Sequence, residues 1–69
     1  MMNMAFIQDK NMKVRLKRKN SIYYIRWISD DHDCIITDLK DEALIFSFFK
    51  ALKLRKELFG EWENERVKV

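Results

Sequence analysis

The chain has 69 residues and a formal net charge of +3, and 48% of its residues are hydrophobic while 36% are charged. This apolar content excludes a disordered chain, and the length predicts a single domain. The single cysteine favours a reducing, cytoplasmic compartment. One cysteine and one histidine exclude a disulfide and a four-ligand zinc site, so we expect no metal and no cofactor.

Three strands are predicted between residues 12 and 37. Residues 12–17 alternate cationic side chains with Val14 and Leu16, which is typical of a half-buried strand. Residues 22–28 are rich in aromatic and β-branched side chains, and residues 34–37 form a short third strand after a polar turn. Residues 1–11 are expected to be a flexible arm or an additional edge strand over residues 5–8.

A helix is predicted within residues 38–60. Asp38 is the expected N-cap, the helix runs over residues 39–59, and Gly60 provides a left-handed residue after its end. Residues 61–69 form a polar tail. The apolar face expected to cover the sheet contains Leu44, Ile45, Phe48, Phe49, Leu52 and Phe59. The predicted fold class is α+β, a three-stranded antiparallel meander packed on one C-terminal helix (β-β-β-α).

Three large apolar residues fall outside this arrangement. Phe46 and Leu54 project away from the predicted apolar face, and Trp62 lies in the polar tail. Exposed apolar side chains of this size indicate a protein interface. Because so small a domain often needs a second subunit for stability, a homodimer is one interface that these residues could form. The alternative is that these residues are isolated exposed side chains, which are common on soluble proteins.

The two faces of the predicted sheet differ in charge. Val14 and Leu16 must face the helix, and burying Arg26 without a partner is costly. We therefore expect Tyr23, Ile25 and Trp27 to lie beneath the helix. The open face then contains Lys13, Arg15, Lys17, Lys19, Tyr24 and Arg26. Cations with an aromatic side chain among them predict nucleic-acid binding, to DNA in the first instance, although lysines on strands also serve to keep a sheet soluble.

The order of these elements resembles the arm-type (AP2-like) DNA-binding domain of tyrosine recombinases. The resemblance covers residues 13–54 and depends on residues 13–17, 22–28 and 37–44. It implies a sheet that lies in the major groove of DNA, in a free-standing protein encoded by a phage or mobile element. The chain departs from the family where Lys19 and Asn20 replace a glycine-rich turn, and where the region before the helix is acidic.

The rival hypothesis is a small phage-type inhibitor or adaptor that binds a host protein. Residues 30–42 contain six acids and one lysine, and such a segment complements a basic protein surface. An enzyme is not expected, because the chain lacks a glycine-rich phosphate loop and a nucleophile beside a base. No small-molecule substrate is expected, and no membrane association, because no apolar run reaches the length of a membrane span.

Overall fold

The computed structural model describes residues 12–68, so the edge strand predicted over residues 5–8 lies outside the described part of the chain. The predicted α+β class is confirmed: one α-helix packs on an antiparallel sheet. The strands are β1 (Lys13–Arg18), β2 (Tyr24–Ile28), β3 (Cys34–Thr37), β4 (Phe46–Ser47) and β5 (Trp62–Arg66), and the helix is α1 (Phe48–Glu57).

Strand β1 is the centre of the sheet. Residues 14–18 of β1 pair with β5 along one edge, while β2 and β4 share the other edge. Lys17 lies between Tyr24 and Glu63, and Val14 lies between Phe46 and Arg66. The predicted meander of β1, β2 and β3 is therefore present, and two strands that the sequence did not predict are added to it.

Strand β5 replaces part of the predicted polar tail. Its acidic residues lie opposite cations of β1, with Glu63 facing Lys17 and Glu65 facing Arg15. Opposite charges on directly facing residues stabilise an antiparallel pair, which offsets the low strand propensity of glutamate. Gly60, with φ of +90°, lies in the turn between α1 and β5, a conformation that glycine adopts without the steric cost of a side chain.

The helix is shorter than predicted and begins nine residues later. Ser47 rather than Asp38 is its N-cap, because the Ser47 hydroxyl accepts a hydrogen bond from the Lys50 amide at 3.2 Å. Residues 40–42 form a separate turn of 3₁₀-helix (the 3₁₀ turn), and Phe46 pairs with Val14 in β4. Within residues 12–68 no helix is long and apolar enough to cross a membrane.

The two added strands and the helix face that packs on the sheet place the three predicted interface residues in the core: Phe46 in β4, Leu54 in α1 and Trp62 in β5. Phe46, Leu54 and Trp62 are 7%, 5% and 7% exposed, so the interpretation of these residues as a protein interface was wrong. They pack together with Val14, Leu16, Ile25 and Ala51. Conversely, Ile45, Phe49 and Phe59 of the predicted apolar face are exposed.

An irregularity in β2 changes which aromatic residues are buried. Ile25 pairs with Ile36 and Trp27 pairs with Ile35, so Arg26 is an extra residue on β2, as in a β-bulge. Of the three residues predicted to lie beneath the helix, only Ile25 is buried, while Tyr23 and Trp27 are 41% and 50% exposed. The prediction assumed strict alternation, which the bulge breaks for Trp27, whereas Tyr23 precedes the first residue of β2.

Candidate nucleic-acid interface on the open sheet face

The open face is the side of the sheet opposite α1. Val14 and Leu16 are fully buried on the helix side, so the intervening Lys13, Arg15 and Lys17 point to the open face. Lys17 lies directly opposite Tyr24, which places the Tyr24 side chain on the same face. The predicted grouping of these β1 cations with Tyr24 is therefore present in the structure.

Strand β5 adds acids to this face. Glu63 and Glu65 face Lys17 and Arg15 across the β1–β5 ladder, and the Lys17 ammonium lies 3.3 Å from the Glu63 carboxylate. The Arg26 guanidinium lies 3.9 Å from Glu42. Both pairs are partly or largely exposed, and such pairs contribute little to stability. The open face is therefore of mixed charge rather than uniformly basic.

Tyr24 is covered rather than available for stacking. Its hydroxyl donates to both carboxylate oxygens of Glu65, at 2.9 and 2.8 Å, and the Lys40 ammonium lies 3.2 Å from the same carboxylate. The Arg15 Nε atom donates to the Lys40 carbonyl oxygen at 3.1 Å, which holds the 3₁₀ turn against the open face. Tyr24 is only 6% exposed as a result, so we assign it a structural role here and not the contact with nucleic acid that the sequence predicted.

The contacts around Tyr24 shift two pKa values. Burial, together with the hydrogen bond to Glu65 and its negative charge, raises the pKa of the Tyr24 phenol. Burial pushes the pKa of Glu65 upwards, but the hydrogen bonds from Tyr24 and Lys40 and the charges of Lys40 and Arg15 outweigh it. The pKa of Glu65 therefore lies below its usual value.

The lowered pKa of Glu65 predicts how the free energy of unfolding depends on pH. The ionised Glu65 stabilises the fold above the pKa that glutamate has in the unfolded chain, and the contribution is lost as the pH falls through the lower pKa of the folded state. We expect Glu65→Gln to reduce stability at neutral pH and to flatten the loss of stability on acidification. Urea unfolding at several pH values between neutral and acid measures both effects.

Glu61→Gln is the matched control for this experiment, since Glu61 is exposed and its side chain forms no ion pair within residues 12–68. A Glu65→Gln variant with the same acid profile as the wild-type protein would show that the Tyr24–Glu65–Lys40 contacts contribute nothing to folding.

The open face exposes the aromatic side chain of Trp27, which the sequence pattern predicted on the opposite side of the sheet. Trp27 pairs with Ile35 and Tyr24 pairs with Thr37, and Ile35 and Thr37 share one face of β3. Trp27 therefore lies on the same face as Tyr24. Together with Arg26 and Ile35 it lines a shallow recess of about 370 Å³. No sequence signal pointed to this exposure, because strict alternation puts the adjacent Arg26 and Trp27 on opposite faces and the irregularity arises from pairing with β3.

Several cations near this face have no carboxylate partner within residues 12–68. Lys13, Arg15 and Lys19 belong to this group, and Lys13 and Lys19 are exposed. Arg18 differs, because its guanidinium lies over the Trp62 ring at 5.4 Å from the ring centroid. Of the predicted binding residues, Lys13, Arg15 and Lys19 therefore remain candidates for phosphate contacts. Lys17 is engaged by Glu63, and the largely exposed Arg26 has only the long contact with Glu42, at 3.9 Å.

Metal ions require sets of several ligating side chains. Between residues 12 and 68 there is no group of three or more His, Cys, Asp or Glu side chains that could hold a metal ion. The arrangement is suited to non-covalent contacts: an exposed indole, an adjacent guanidinium and further cations on the same side of the sheet. Comparisons of this chain with protein-family models, with curated proteins and with solved structures found no match.

Proposed function

We propose that this chain is a non-enzymatic protein that binds single-stranded nucleic acid on its open sheet face. The observation that carries the proposal is the half-exposed Trp27, which lies beside Arg26 on the same face as Lys13 and Arg15. Unpaired bases stack on exposed aromatic side chains, and cations neutralise the phosphates between them. A duplex offers no free base to Trp27, which is why we favour a single strand.

The roles in this proposal differ from residue to residue. Trp27 stacks on a base, and Arg26 contacts the base or its phosphate. Lys13, Arg15 and Lys19 attract the backbone. Removing Trp27 should therefore lower affinity without changing its salt dependence, whereas removing a lysine should change the salt dependence, because each neutralised phosphate of a single strand contributes about −0.7 to the slope of log K against log salt.

We expect Trp27→Ala to weaken binding to a labelled oligo(dT) by about 1–3 kcal/mol at constant salt slope. We expect Lys13→Ala to reduce the magnitude of the slope by about 0.7. Fluorescence anisotropy over a series of salt concentrations measures both quantities, with oligo(U) and a DNA duplex of the same length as further ligands.

Phe49→Ala and Lys56→Ala are the controls, since both residues are exposed on α1, across the sheet from the open face. Both variants should bind as the wild-type protein does. Binding to none of the three nucleic acids at low salt would exclude the proposal, and equal losses in the Phe49 and Trp27 variants would place the ligand elsewhere.

A further inference from the structure

The outer edge of β3 is open to an added strand. Strand β3 is the last in the sheet order, and no strand within residues 12–68 pairs with its outer edge. Proteins usually protect such an edge with lysine, proline or a bulge, and β3 has the sequence Cys-Ile-Ile-Thr, without any of these. Ile35 and Ile36 are 49% and 40% exposed on its two faces, so both backbone and side chains are available to a partner.

A cleft lies on the helix side of this strand. It has a volume of about 510 Å³, and Cys34 and Ile36 of β3 form part of its lining. Three carboxylates also line it, from Asp31, Asp33 and Glu57, together with Arg18 and His32, whose Nε2 atom lies 3.0 Å from the Glu57 carboxylate. A strand added to β3 would point every second side chain towards this cleft, and a long side chain with a positive tip fits its acidic lining.

The charges around β3 disfavour a second copy as the partner. Asp33 precedes the strand and Asp38 follows it. In a dimer, the β3 strands of two copies could pair in antiparallel fashion about a two-fold axis at Ile35 or Ile36. The open faces of both copies would then lie on the same side of the joined sheet. This pairing would also place Asp33 of each copy one residue from Asp38 of the other. Bringing these exposed like charges close together at both ends disfavours a pair of copies, whereas a cationic segment would be attracted at both ends of β3.

We propose that the outer edge of β3 binds an extended segment of another protein by strand addition. The segment alternates lysine or arginine, directed into the cleft, with β-branched residues that cover Ile35. Main-chain hydrogen bonds supply affinity, and the cleft supplies the preference for cations. The proposed segment shares Ile35 with the recess beside Trp27, but its affinity comes from the edge of β3 and the acidic cleft, so this inference does not depend on the proposed binding of nucleic acid.

The test uses the whole protein and an acetylated, amidated octapeptide of alternating valine and lysine. Heteronuclear NMR titration should show slower hydrogen exchange for the outward amides of β3 and shifts at Cys34 and Ile36. The valine–glutamate octapeptide should not bind. Two further versions of the valine–lysine peptide are N-methylated, one at the valine amides and one at the lysine amides. In an extended strand the amides of alternate residues point to opposite edges, so only one version leaves the amides that face β3 free. Strand pairing therefore predicts that one version binds and the other does not, whereas attraction between charges alone predicts that both bind equally.

Ile36→Lys adds a positive charge to the exposed edge and should weaken binding about tenfold or more, a change of about 1.4 kcal/mol. Phe49→Lys is the matched control on α1 and should bind as the wild-type protein does. If the Ile36→Lys variant does not fold, Ile35→Lys replaces it as the edge variant. Equal binding of both N-methylated peptides, binding of the glutamate peptide, or a dimer that Ile36→Lys dissociates would overturn the proposal.

Discussion

Trp62→Ala is expected to cost most of the stability of this domain. Trp62 is 7% exposed, packs in the core cluster, and donates its indole N–H to the Phe59 carbonyl oxygen at 3.3 Å. Truncating a buried tryptophan to alanine typically costs about 3–5 kcal/mol. Domains are stable by about 0.05–0.15 kcal/mol per residue, or about 3–10 kcal/mol for 69 residues.

Trp27→Ala is the matched control, since the same side chain is removed from a site that is 50% exposed. We expect it to change the free energy of unfolding by less than about 1 kcal/mol. Urea unfolding followed by circular dichroism compares the two variants directly. Similar losses in both would contradict the assignment of Trp62 to the core and of Trp27 to the surface.

Phe46→Ala should destabilise the domain by about 3–5 kcal/mol. Phe46 is 7% exposed and pairs with Val14 in the short contact between β4 and β1. The loss would combine the cavity with the loosening of the segment that leads into α1, whose N-cap Ser47 is the next residue. The midpoint of thermal unfolding, measured calorimetrically, gives the size of the effect.

Phe49→Ala provides the comparison for this second prediction. Phe49 is 56% exposed and forms an edge-to-face contact with Phe48, with ring centroids 5.7 Å apart. We expect a loss of only about 1 kcal/mol, since an aromatic pair contributes about 0.5–1.5 kcal/mol. A larger loss for Phe49 than for Phe46 would mean that the helix face is the one predicted from the sequence.

The first half of the fold follows from sequence patterns because those patterns are local. Alternation over residues 13–18 defines β1, and the β-branched and aromatic residues of β2 have high strand propensity. The bulge at Arg26 is not visible in such a pattern, since it arises from pairing with β3. Strict alternation consequently gave the wrong side for Trp27 and a correct outward position for Arg26.

The second half depends on contacts between distant residues. Glu63 and Glu65 favour a strand only because Lys17 and Arg15 lie opposite them. Phe46 belongs to a strand because Val14 is beside it, and a helix beginning at Phe48 turns Leu54 into the core. The predicted helix included residues 44–46, which are not helical, so its apolar face was drawn through Leu44 and Ile45 instead of Ala51 and Leu54. This explains why Phe46 and Leu54 were taken for surface residues.

The candidate site was predicted in part. The cations of β1 on the open face could be predicted, because they alternate with Val14 and Leu16. The covering of Tyr24 by the 3₁₀ turn could not, since it depends on the hydrogen bond from Arg15 to the Lys40 carbonyl oxygen, 25 residues away in the chain. The arm-type resemblance implies three strands and a helix. It does not include β4, β5 or the 3₁₀ turn.

The exposed indole of Trp27 can be tested against a single strand without any label. Titrating oligo(dT) into the wild-type protein at low salt, with tryptophan emission as the signal, should quench the exposed Trp27 and leave the emission of the buried Trp62 unchanged. The quenching should disappear in Trp27→Ala and reverse on adding salt. Emission that stays constant while the oligonucleotide binds, or quenching that persists in Trp27→Ala, would contradict the account of the open face.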